Sequence, residues 1–199
     1  MIYIAHRINT IEQLLRTSDD LGVEIDIRSQ GNTLYLSHDP FVLGENFEDW
    51  LKYFHHRILI LNVKEDGLEK KIVSCLKKFE ITDYFFLDQS LPALVQFANN
   101  GFSQTAVRLS EYEPIEIALN IPGSVKWIWA DCFTKYSIDL EASNILHDRG
   151  FKICLVSPEL QGRTDPELIS EVAHAIKKNQ IIADAVCSKR PDIWRNIFE

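Results

Sequence analysis

Long hydrophobic runs are missing from this sequence: no apolar stretch reaches the ~20 residues that a bilayer-spanning helix needs. The chain opens straight into Met1-Ile2-Tyr3-Ile4-Ala5-His6 with no basic leader, so the expectation is a cytoplasmic protein without a membrane span. Basic excess is missing too. Lys and Arg number 21 against 29 Asp and Glu, a formal charge of -8 with a pI near 5.3, whereas binding a nucleic-acid backbone takes concentrated positive surface. Nucleic acid is therefore excluded as the main partner, while a small phosphorylated ligand held by a few basic side chains is not. The four cysteines, Cys75, Cys132, Cys154 and Cys187, form neither a CxxC pair nor a close cluster with histidine; they read as buried small apolar residues rather than metal ligands. No repeat, low-complexity segment or linker divides the chain. At 199 residues, 46% of them hydrophobic, one domain over residues 1–199 with a substantial core is expected.

What is present is an alternation of short β-branched and aromatic runs with segments of helical period, the pattern of a parallel sheet covered by helices. Eight strands are predicted: Ile2 to Ala5, Val23 to Ile27, Ile58 to Val63, Tyr84 to Leu87, Thr105 to Leu109, Lys126 to Ala130, Lys152 to Val156 and Ala183 to Cys187. Helices are predicted over Thr10 to Asp20, Leu68 to Phe79, Leu91 to Asn99, Leu140 to Arg149 and Pro166 to Lys178. Eight such units make a (β/α)8 barrel, and a lean one, since ~250 residues is typical. After the second strand, Ser29-Gln30-Gly31-Asn32 reads as a turn and Thr33 to Leu36 as a short returning strand, which carries Ser37-His38-Asp39-Pro40 to the mouth.

Strand residues two apart share a face. Glu24, Asp26 and Arg28 share one, as do Asn62 and Lys64. Carboxylates and a lysine directed into a barrel are costly unless paired or bound to a ligand, so the pattern signals either a structural ion-pair cluster or a site. His6-Arg7, Arg108 and Asp131 fall at other C-terminal strand ends, the face on which barrel active sites lie. Carboxylates for a hard cation, basic groups for phosphate oxygens and two histidines for proton transfer suit phosphodiester chemistry. Trp127 and Trp129 alternate on the sixth strand and read as core. His55, His56, His147 and His174 read as solvated surface residues.

In their order these residues resemble the glycerophosphodiester phosphodiesterases. The motifs that carry the likeness are His6-Arg7-Ile8-Asn9-Thr10, Glu24-Ile25-Asp26, His38-Asp39, Asn62-Val63-Lys64 and, more loosely, Ala183 to Pro191. The resemblance implies that His6 and His38 are the general acid/base pair, that Arg7 and Lys64 hold phosphate oxygens, and that Glu24, Asp26 and Asn62 ligate Mg2+ or Ca2+. The implied activity is metal-assisted hydrolysis of a small phosphodiester, a glycerol or sugar diester. The alternative is a catalytically weakened barrel that binds a phosphorylated metabolite; a third reading, another phosphate-handling barrel enzyme, lacks a glycine-rich cradle. Three features depart from the family: two positions and one spacing. Ile8 replaces a glycine, which predicts a differently shaped first loop. Asn62 replaces a glutamate and lowers the site's charge, a loss that Asp131 is placed to offset unless it pairs with Arg108 or Lys64. Only 22 residues, 40 to 61, separate Asp39 from Asn62, which predicts an open pocket.

Overall fold

The computed structural model describes residues 1–121, 125–136 and 138–199. Its elements run β1 (Ile2–Ala5), α1 (Ile11–Arg16), β2 (Gly22–Gln30), β3 (Thr33–Leu36), β4 (Glu45–Asn46), α2 (Phe47–Leu51), β5 (Leu59–Val63), α3 (Glu69–Lys78), β6 (Tyr84–Leu87), α4 (Leu91–Asn99), β7 (Ala106–Leu109), α5 (Glu116–Asn120), β8 (Trp127–Ala130), α6 (Leu140–Asp148), β9 (Lys152–Val156), a 3-10 turn (Pro158–Gln161), α7 (Pro166–Lys178), β10 (Ala185–Ser188) and α8 (Pro191–Phe198). Eight strands pair in parallel around a ring. β1 lies between β10 and β2, β5 joins β2 to β6, and β8 and β9 connect β7 to β10. A parallel bridge, Phe86 to Thr105, closes the circuit between β6 and β7. The antiparallel pair β3–β4 is attached to β2 outside the ring.

The period of two along each strand sorts side chains into two layers. Ile4, Ile60, Phe85, Trp127, Cys154 and Cys187 belong to the cluster filling the interior. Val23, Ile25, Leu59 and Leu61, with Val107, Ile128, Ile153 and Val186, point outward under the helices. The interior is packed solid rather than hollow: the Phe85 and Trp127 rings stack with centroids 4.5 Å apart, and the Lys152 ammonium lies 5.4 Å from the Trp127 ring centre. All four cysteines are buried and free.

Local chemistry explains where the elements depart from expectation. α1 stops at Arg16 instead of Asp20, because Thr17 turns to an extended conformation and its hydroxyl donates back to the Gln13 carbonyl at 2.8 Å. β2 runs on to Gln30 because β3 supplies an antiparallel partner. The five-residue helices α2 and α5 are too short to leave a periodic signal. The closing segment contains a helix that strand reading overlooked: α8 begins at Pro191 and buries Trp194 completely. His56 is a correction too; it is buried, with Nε2 3.0 Å from the Thr17 carbonyl. His147 is half-buried, its Nε2 2.9 Å from Asp184 Oδ2.

Trp194 Nε1 donates to Ser157 Oγ at 2.9 Å, tying α8 to the turn after β9. Trp194→Ala should therefore cost about 3–5 kcal/mol, the range for deleting a buried aromatic. Urea unfolding would measure it; a loss under about 1 kcal/mol would show that α8 is not integral to the core.

Candidate active site

At the C-terminal end of the ring the inward-facing positions change from apolar to ionisable. His6, Arg7, Asp26, His38, Asn62, Lys64, Asp88, Arg108, Trp129 and Gln161 border one cavity of about 230 Å³. Glu24 lies beneath it, fully buried and 3.6 Å from His6 Nε2. The structure thus brings together each of His6, Arg7, Glu24, Asp26, His38, Asn62 and Lys64, which come from β2, β5 and the segments that follow β1, β3 and β5.

The first loop is shaped by Arg7, which takes a left-handed conformation (φ 59°) although it is not glycine. That turn aims its N–H at Glu24 Oε2, 2.7 Å away. Ile8 stays out of the left-handed region, donates its N–H to the Glu24 carbonyl at 2.8 Å and packs against the outer core. The left-handed residue of this loop is thus Arg7 and not Ile8, and a hydrogen bond to a buried carboxylate compensates its strain.

Asp26 is held from several sides. Lys64 Nζ is 2.9 Å from Oδ1, Asn9 Nδ2 donates to Oδ2 at 2.7 Å, and Arg7 Nε stands 3.6 Å from Oδ2. Glu24 lacks such compensation. Its Oε1 is buried without a hydrogen-bond partner among the described residues, and its carboxyl is raised to about 7, first by burial and then by the Asp26 charge. His6 is lowered to about 4, first by burial and then by Arg7, so it is neutral at neutral pH. His38 Nδ1 sits 2.7 Å from Asp39 Oδ1, and the His38 carbonyl accepts from Arg28 Nη2 at 2.9 Å. Arg28 therefore supports the loop behind the site instead of entering it.

The far wall is an ion-pair network. Arg108 pairs with both Asp88 and Asp131, and Gln161 Nε2 donates to Asp131 Oδ1 at 2.6 Å. Asp131 thus takes the role of Arg108's partner, not that of a third carboxylate beside Glu24. Burial raises it to about 6, against the pull of Arg108. Asp88 and Gln161 went unnoticed in the sequence. Asp88 follows Leu87 at a strand end and turns inward through a left-handed φ of 61°, a conformation Asp tolerates; its position at a C-terminal strand end was its signal. Gln161 lies in a loop turn and gave none.

Whether these residues suit a divalent cation can be read from their oxygens. Among the described residues Glu24 Oε1 and Asn62 Oδ1 are both buried and find no hydrogen-bond partner, and Asn62 lies opposite Asp26 in the β2–β5 register. Two carboxylates and an amide oxygen are hard donors that suit Mg2+ or Ca2+. Among the described residues no group of three His, Cys, Asp or Glu has the arrangement of a metal site, so the set fits by type but carries less charge than three carboxylates.

No family model and no curated protein sequence matches the chain. Solved structures do. A glycerophosphoryl diester phosphodiesterase from Parabacteroides distasonis superposes with a TM-score of 0.66 at 14% identity, covering 98% of this chain and 85% of that one. A glycerophosphodiester phosphodiesterase from Agrobacterium tumefaciens gives 0.68 at 16%, covering 98% and 99%. The chain has the fold of the glycerophosphodiester phosphodiesterases. A further Agrobacterium tumefaciens structure, provisionally assigned as a glycerophosphoryl diester phosphodiesterase, gives 0.72 at 11%, covering 99% and 96%. At these identities the likeness establishes the phosphodiesterase barrel fold and leaves the roles of individual residues to the geometry above.

The raised carboxyl of Glu24 makes stability depend on pH. A group whose folded-state value lies above its ordinary 4.5 binds protons on folding. Its favourable contribution is complete below that ordinary value and is lost as the pH climbs through about 7. Glu24→Gln, which keeps the shape of the protonated acid, should stabilise the protein at about pH 8 by roughly 1–3 kcal/mol and change little at about pH 4. Urea titrations of both proteins in chelator test this; an equal effect at both pH values would mean that Glu24 is not the titrating group.

Proposed function

We propose that the chain is a phosphoric diester hydrolase of the glycerophosphodiester phosphodiesterase family, acting on a small phosphodiester by two-histidine acid/base catalysis. The observation that carries this reading is the convergence of His6 and His38 on one cavity with Arg7, Lys64 and a buried carboxylate pair. The same cavity lies at the C-terminal face of a barrel whose fold is that of known phosphodiesterases.

In this reading the phosphate enters the cavity between Arg7 and Lys64, whose charges neutralise its oxygens. Glu24, Asp26 and the Asn62 amide oxygen would hold Mg2+ or Ca2+, which supplies further neutralisation of the diester when bound. His6, neutral because it is buried beside Arg7, takes the proton from the attacking hydroxyl. That nucleophile is either water or a neighbouring hydroxyl of the alcohol, the latter giving a cyclic phosphate that water then opens. His38, oriented through Asp39, returns a proton to the departing alkoxide as the P–O bond breaks. Asp39 thereby fixes the orientation of the ring.

His6→Ala and His38→Ala should each lower turnover by ~10^2-fold or more, in line with general acid/base contributions, without loss of the folded state. The assay is release of alcohol and phosphomonoester from a panel of glycerol and sugar phosphodiesters with Mg2+, Ca2+ or chelator. Wild-type rates in both variants on the best substrate would eliminate the acid/base roles.

Asn62→Glu provides a separate test of the cation. An added carboxylate beside Glu24 and Asp26 should tighten Mg2+ or Ca2+ binding in calorimetric titration, because hard-cation affinity follows ligand charge. Unchanged affinity, or binding that survives Glu24→Ala and Asp26→Ala, would remove the cation from this place. The second reading, a barrel that binds a phosphorylated metabolite without turning it over, would then gain. It is favoured by the engagement of Asp26 with Lys64 and Asn9.

A further inference from the structure

The hairpin that carries His38 also carries three consecutive exposed apolar side chains. Phe41 is fully exposed, and Val42 and Leu43 are largely so. The hairpin base is firmly built: Ser37 N–H donates to the Asp26 carbonyl at 3.1 Å, β3 and β4 pair at Leu36–Glu45 and Tyr35–Asn46, and Glu45 Oε2 accepts the Ile11 N–H at 2.8 Å. Gly44 passes so close to β3 that a Cβ there would stand 1.6 Å from the Leu36 carbonyl oxygen. On this base Phe41 adopts a left-handed φ of 64°. For a bulky residue that conformation is costly, and so is presenting its ring to water. Both costs fall on one residue, three positions from His38.

A second apolar element stands across the ring. Tyr112 follows β7 and Phe133 follows β8, the strand opposite β2 in the circuit. Both rings are exposed and lie 5.9 Å apart, and Glu111 fastens the two loops by accepting the N–H groups of Thr134 and Lys135. The polar cavity thus lies between apolar loops. Phosphodiester chemistry below and hydrocarbon-compatible surface at the rim match an amphiphile whose headgroup contains the diester. Exposed apolar residues gathered around a site mark an interaction surface, and a chain of net charge -8 is unsuited to anionic lipid.

We infer that the mouth docks on a zwitterionic lipid surface by inserting Phe41, Val42 and Leu43, and that the phosphodiester drawn into the cavity is that of a lipid in that surface. The choice of substrate rests on the phosphodiesterase reading; the docking does not. The tip enters the interfacial layer and His38, on the same rigid hairpin, follows the headgroup.

Flotation with phosphatidylcholine vesicles tests the docking. Wild type should float with them, Phe41→Ser/Leu43→Ser should bind about tenfold or more weakly through lost apolar insertion, and vesicles enriched in phosphatidylserine should bind less. The double variant should also lose rate on micellar lysophosphatidylcholine while keeping its rate on soluble glycerophosphocholine. Failure of the wild type to float, or equal flotation of the variant, would overturn the inference. So would a dimer of the wild type that the double variant loses while neither floats, since the occupant is then a second copy. Flotation without turnover of either diester would leave the docking standing and reject the phosphodiesterase reading; turnover of the soluble diester without flotation would do the reverse.

Discussion

Glu24 and Asp26 project from one strand into the barrel with almost no exposure, and two carboxylates that close resist ionising together. The structure divides the burden. Asp26 is given Lys64, Asn9 and the edge of Arg7. Glu24 receives one backbone N–H and keeps a raised pKa. Two other features of the mouth follow from that division: the left-handed Arg7 and the inward-reaching Lys64 each answer the charge of this pair.

The second wall repeats the solution. Asp131, fully buried, would be intolerable alone; Arg108 and Gln161 satisfy it, and Asp88 takes the other side of the guanidinium. This network explains why Asp131 does not make up for Asn62. The two lie on well-separated strands, and a carboxylate already bound to a guanidinium has little left for a cation. The site therefore has two clusters meeting at one cavity, linked by Lys64, which stands between Asp26 and Asp88 at 2.9 and 3.9 Å.

Rigid support surrounds this chemistry. The interior below is filled by stacked aromatics, so the floor of the cavity at Trp129 does not yield, and Trp129 serves core and site together. Above it the segment between Asp39 and Asn62 is short, and the apolar tip at Phe41 stands exposed beside the mouth.

Much of this was legible in the sequence. Period-two alternation and strand-sized apolar runs located the eight strands and marked Glu24, Asp26, Asn62 and Lys64 as inward-facing, because side-chain direction in a strand is a local property. The ordered histidines and carboxylates pointed to the mouth before any strand was paired. What the chain could not reveal alone depends on which distant groups meet. The pairing of Asp131 with Arg108, the arrival of Asp88 and Gln161, the burial of His56 and the helix that seats Trp194 all arise from contacts across the ring. The left-handed turn at Arg7 likewise exists because Glu24, seventeen positions on, waits for its N–H. Local sequence sets where a side chain points; only tertiary structure decides what it finds there.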